Sequence, residues 1–131
     1  MLSARLAALL GIAYALAGCG GSSPGADVRA KVVQFGTATA QHEVTVLCDQ
    51  VLAPTLVVRL TAAGLNCPQA MKLFVASVQN PTISVSRVTI KGSAATAVVL
   101  AGATGQKPAL ETLELIKTKR GWRLASLASP R

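Results

Sequence analysis

The chain has 131 residues, 51% of them hydrophobic but only 3% aromatic, and a formal net charge of +8. That length suits one domain with an ordinary core. The cationic residues are scattered rather than interleaved with stacking aromatics, which speaks against a nucleic-acid binder.

Arg5 supplies a short positive region, and residues 6–17 follow without a charge. Those twelve residues fit the apolar core of a signal peptide. They fall short of a membrane span, which needs about 20 apolar residues. Leu16-Ala17-Gly18-Cys19 closes the run and resembles a bacterial lipobox. The resemblance implies that residues 1–18 are removed as a lipoprotein signal peptide and that Cys19 is lipidated. The mature domain is then held by lipid on the extracytoplasmic face of the cell membrane. A short buried helix, or a signal peptide cut elsewhere, are the alternatives. Two or three acyl chains make a lasting anchor, since each buried methylene adds about 0.8 kcal/mol. The Gly/Ser/Pro composition that follows makes residues 19–26 a flexible tether. Cleavage at this point leaves 12 Lys plus Arg (13 less Arg5) against 5 Asp plus Glu. An anionic lipid surface or wall polymer beside the anchor is the partner this charge fits, each nearby cation contributing on the order of 1 kcal/mol at low salt. A solvated basic surface without a specific partner is the plainer reading.

The folded domain is expected over residues 27–131. Asp27 can cap a helix running to Gln41, with Val28, Val32, Phe35 and Thr39 on one face. Gly36 weakens this helix slightly. Gln41-His42-Glu43 reads as a break, followed by a second helix over 43–53. Pro54 starts a third helix that Gly64 ends, and Pro68 starts a fourth that reaches about Ser77. Asn80-Pro81 is a stop. From Thr82 the pattern turns to strand, and a phase shift between Val85 and Val88 predicts a bulge. Gly92-Ser93 marks a hairpin turn, and residues 95–101 form the second strand. Residues 102–108 read as a loop, 110–118 as the third strand, and Lys119-Arg120-Gly121 as a turn. The last strand runs over 122–127, with Trp122 and Leu124 on one face and Arg123 on the other. Helices first and a β-meander after them mean an α+β fold, N-terminal helices packed on one face of an antiparallel sheet. If Cys19 takes lipid, Cys48 and Cys67 remain, and an oxidising compartment permits a disulfide between them. Two unpaired buried thiols are the alternative.

The order of these elements resembles the small nuclear-transport-factor-2-like lipoproteins of actinobacteria. The residues that carry the resemblance are 28–40, Cys48, the Leu52-Ala53-Pro54 step, Cys67, 94–99 and Gly121-Trp122-Arg123-Leu124. The resemblance implies a curved antiparallel sheet wrapped around a long helix, making a cone with room for a pocket. Phe35, Phe74 and Trp122 are the aromatics available to line it, although a strand Trp in so small a domain is more often core, packed against the first helix.

No constellation of acid, base and nucleophile stands out. His42 and Glu43 would point about 100° apart on a helix. Glu111 and Glu114 have an odd separation in a strand and face opposite ways. Asp27 is explained as a cap, which leaves Asp49 as the acid to test for catalysis. An isomerase of the cone type needs a carboxylate base with a proton donor, commonly Tyr, and Tyr14 lies in the leader. The lone His42 and the absence of clustered ligand spacing argue against a metal, and no cofactor motif is present. The expectation is a non-enzymatic, lipid-anchored domain that binds a small apolar ligand or an envelope partner. An interaction or homodimerisation module is the alternative, and a cone-fold isomerase- or cyclase-like enzyme comes third.

Overall fold

A computed structural model describes residues 23–127 and the backbone of 129–130. Cys19, the leader, and tether residues 19–22 lie outside the described residues. Helix α1 spans Pro24–Ala40, so residues 24–26, expected in the tether, form its first turn. The cap is Ser23, not Asp27. The Ser23 hydroxyl accepts from the Ala26 amide at 3.2 Å, and Pro24 takes the first helical position, where its missing N–H costs nothing. Asp27 lies in the first turn, favourably placed against the helix dipole.

His42 makes the break after α1 at φ 57°. Helix α2, Val44–Val46, passes directly into a π-helical turn over Leu47–Val51. The expected second helix is therefore present over 44–51, with its second half wound as a π-helical turn in which the Leu52 amide donates back to the Leu47 carbonyl. Helix α3 is Pro54–Ala62, and the chain leaves it through Gly64 at φ 83°. Helix α4 is Cys67–Ala76, capped by the Asn66 side chain on the Gln69 amide.

The sheet is antiparallel in the order β1-β2-β3-β4, built from β1 Thr82–Lys91, β2 Ala94–Ala103, β3 Gln106–Thr118 and β4 Gly121–Leu124. The predicted bulge lies between Val85 and Arg87 and brings Val88 and Ile90 back onto the core face. The expected loop over 102–108 is instead a tight turn at Thr104-Gly105 between two long strands. Pro108 falls beside a second bulge, between Ala101 and Ala103, where the ladder can spare an N–H. The last strand is broken. Gly121–Leu124 pairs with one end of β3, and a short β5, Ser129–Pro130, pairs with Glu111 and Thr112 further along the same strand.

The core fills the space between α1 and the sheet. Val28, Val32, Phe35 and Thr39 are all buried, as their shared face predicts, against Leu113, Leu115, Trp122 and Leu124. Each fully buried aliphatic side chain contributes roughly 1.5–3 kcal/mol. Cys48 in the π-helical turn is bonded to Cys67 at the start of α4, with 5.9 Å between Cα atoms. Arg123 departs from the simple alternation. Its neighbours face the core, yet Arg123 is itself only 7% exposed. The segment entering α3 lies along the free edge of β4, the Ala53 amide donating to the Leu124 carbonyl at 2.7 Å. That cover comes from a distant part of the chain and encloses a face expected to meet solvent.

Candidate functional site

Near the C-terminal end of α1, that helix, α4 and the sheet leave a partly enclosed cavity of about 440 Å³ between them. This lies within the usual range for small-molecule sites, roughly 300–1,000 Å³. Its apolar wall is Phe35 from α1, Phe74 from α4, Ile83 from β1, Leu113 from β3 and Leu127 after β4. The Phe35 and Phe74 rings stack, 6.0 Å between centroids and 19° between planes. Small residues make the room: Gly36, Ala101, Gly102, Ala103 and Ala109 all line the cavity. Gly36 also lets α1 approach β1 closely, since a Cβ there would collide with the Ile83 Cγ2 methyl. The Thr39 hydroxyl, buried at the cavity wall, donates to the Phe35 carbonyl at 2.7 Å and so presents no spare donor proton. Glu111, half-buried, is the only carboxylate among the described lining residues, with Lys107 and Gln106 exposed beside it.

Phe35 and Phe74 are thus brought together. Trp122 is not among the cavity's lining residues. It is 4% exposed and packs between β4 and α1 at the other end of the helix, bordering a shallow basin with Lys31, Lys117 and Arg120. His42 and Glu43 are exposed at the α1–α2 break, beside Lys72. Asp49 is exposed on the π-helical turn, away from the cavity. Glu111 and Glu114 do face opposite ways: Glu111 borders the cavity, and Glu114 lies with Thr96 and Ile116 on the other side. Sequence reasoning passed over Glu111, Ile83 and Leu127 as site residues. The signal for Glu111 was its parity with Leu113 and Leu115, which puts all three on the core face of β3. Among the described residues no cluster of His, Cys, Asp or Glu could hold a metal ion. No helix among them is long and apolar enough to cross a membrane.

No protein-family model matches the chain, and no curated protein matches it by sequence. Solved structures do match. An NTF2-like protein of unknown function from Shewanella baltica superposes with a TM-score of 0.56 over 81% of this chain and 94% of its own, at 12% identity. A candidate dehydratase of the NTF2-like family from Streptomyces avermitilis gives a TM-score of 0.54 at 17% identity, over 82% and 95% of the two chains. The designed NTF2-fold protein NT-9 gives 0.54 at 12% identity, over 84% and 90%. At these identities the likeness concerns the fold.

Proposed function

We propose, with the nuclear-transport-factor-2-like fold as premise, that this chain is a lipid-anchored extracytoplasmic domain that binds a small apolar ligand in its cone. The observation that carries the reading is the half-enclosed cavity walled by the stacked Phe35 and Phe74 rings. Apolar walls with few polar groups suit a hydrocarbon-like ligand held by burial rather than by ionic contacts. Binding without catalysis is the reading favoured by the lining, where Glu111 has no Tyr, His or second carboxylate beside it among the described residues. The anchor rests on Leu16-Ala17-Gly18-Cys19.

A fluorescent apolar probe such as N-phenyl-1-naphthylamine tests the cavity. The chain should bind it saturably, and Ala109→Trp, at an exposed position of the cavity mouth, should abolish binding without unfolding the protein. Equal binding by the wild type and this variant would overturn the reading. Intact mass spectrometry of membrane-extracted protein tests the anchor: the expected species lacks residues 1–18, carries acyl chains and keeps one disulfide.

A second reading, a homodimerisation or envelope-docking module, rests on a different face. Leu100 and Leu110 are directly paired across β2 and β3 on the outer side of the sheet and are 43% and 53% exposed. An apolar pair in that position suits a face-to-face partner. Light scattering decides this reading: a dimer that Leu110→Lys converts to monomer supports it.

A further inference from the structure

Arg123 is the least comfortable side chain among the described residues. The guanidinium stays charged at any ordinary pH. It is 7% exposed, and its Nη1 is buried with no hydrogen-bond acceptor among the described residues. A buried ion without a partner is costly, and a bound counter-charge would offset that cost. Lys31 does nothing to offset this charge, since it and Arg123 repel one another.

The surroundings are built for an anion. Arg123 lines a cleft of about 740 Å³ between the β3–β4 turn and the face made by the π-helical turn and α3. Arg123 is the buried member of this lining, and the exposed Lys119 and Arg120 stand at its rim. The turn that carries them is held in place by Thr118. Its hydroxyl donates to the Gly121 carbonyl at 2.8 Å and accepts from the Arg120 amide at 3.2 Å. The two rim cations are therefore presented on a fixed turn rather than on a loose loop. Asp49 also lines the cleft, as its one carboxylate, on an exposed position of the π-helical turn. Three cations against one anion leave the cleft positive.

The geometry points to an oxyanion site in this cleft, with a phosphate-type group held by Arg120 and Lys119 at the rim and reached by the buried Arg123. A guanidinium fork matches two oxygens of such a group, and charge-assisted bonds of this kind are the strong ones. Asp49 opposes the anion and tunes the affinity downward. The site is separate from the apolar cavity, and it stands whether or not that cavity takes a ligand.

The test compares melting of the full chain in inorganic phosphate and in chloride at matched ionic strength. Phosphate should raise the midpoint of the wild type. Arg123→Met should remove the rise, binding weakening by about tenfold or more, and Arg120→Ala should weaken it by about threefold. Asp49→Asn should strengthen the response. Arg120→Ala and Asp49→Asn alter exposed side chains, so they remain informative should Arg123→Met fold poorly. Sedimentation with phosphatidylglycerol against phosphatidylcholine vesicles then separates the sources. With Cys19→Ser protein, which carries no acyl chains, a headgroup site gives Arg123-dependent binding to the first vesicle only, and a soluble-phosphate site responds to free phosphate and to neither vesicle. Phosphate and chloride acting alike on the wild type would overturn the proposal and leave water as the partner of Nη1. So would an undiminished phosphate response in both Arg variants. An Asp49→Asn protein that is destabilised in chloride and indifferent to phosphate would make Asp49 the counterion and overturn it equally.

Discussion

The two ends of α1 solve the same packing problem in opposite ways. Toward the C-terminal end, Phe35 and Thr39 face a sheet lined with Gly and Ala, and the space between stays open as an apolar cavity. Toward the N-terminal end, Trp122 fills the gap between helix and sheet. The polar groups are then pushed to the margin, where Lys31, Lys117, Lys119, Arg120 and Arg123 gather around the β3–β4 turn. One helix and one strand thus serve an apolar hollow and a filled, cationic end. The difference lies in a few side-chain volumes, not in backbone topology, so it can be altered by substitution.

Trp122→Ala should have the largest effect. It would carve a hollow into the filled end, with a loss of about 3–5 kcal/mol in urea unfolding. The comparison breaks if that variant is as stable as the wild type, because Trp122 would then not be the filler. Removing the Cys48–Cys67 bond, which ties the π-helical turn to α4, should cost about 3 kcal/mol for a loop of this size. The Cys48→Ala/Cys67→Ala pair measured beside the reduced wild type checks this, and the two should agree. Gly36→Val attacks the open end. Overpacking against the Ile83 methyl should destabilise by about 1–3 kcal/mol, despite the gain from losing a helix glycine. A stabilised Gly36→Val protein would show that β1 can withdraw from α1.

The smallest effect concerns Lys31 and pH. Burial holds its ammonium below the ordinary value of 10.5, and repulsion by Arg123 adds to the shift. The folded state therefore binds this proton less tightly than the unfolded chain does. Stability is reduced while Lys31 is charged in both states, and it recovers as pH rises through the lowered folded value toward 10.5. Urea midpoints followed into the alkaline range should rise for this reason, and Lys31→Met should flatten that rise. Two polar contacts temper the effect: the Lys31 ammonium donates to Gln34 Oε1 at 2.7 Å and to the Gln50 carbonyl at 2.9 Å.

Much of the fold was legible because local chemistry decides it. Pro54, Gly64, Pro68 and Asn80-Pro81 punctuate the helices in the sequence as they do in the molecule. The phase shift after Val85 marked the bulge, because strand parity leaves no other way to return Val88 to the core. The cysteine pair was equally plain. The failures fall where local signals point two ways or where distant chain segments decide. Ser23-Pro24-Gly25 has the composition of a tether, yet Ser23 and Pro24 are also the two residue types that open a helix, and the Ser23 hydroxyl caps it. Nothing local announces that residues 47–51 widen into a π-helical turn. Arg123 reads as exposed on its own strand, and only the return of 52–53 along β4 buries it. Of the cavity, Phe35 and Phe74 were legible as scarce aromatics. Glu111 could have been read from its parity with Leu113 and Leu115, whereas Leu127 could not, because its place depends on where the last strand breaks.

Strand β1 also governs how the protein behaves at high concentration. Among the described residues it pairs with β2 alone, so its other margin is the kind of backbone edge on which sheets from separate molecules can join. The Val85–Arg87 bulge interrupts that edge, Arg87 and Lys91 place charges along it, and the Arg29 guanidinium reaches the Val85 carbonyl at 3.4 Å. A second molecule would have to desolvate these cations and match an irregular row of amides. Crowded domains can therefore lie side by side without growing into a shared sheet, and Arg87→Val with Lys91→Val should turn a clear concentrated solution turbid.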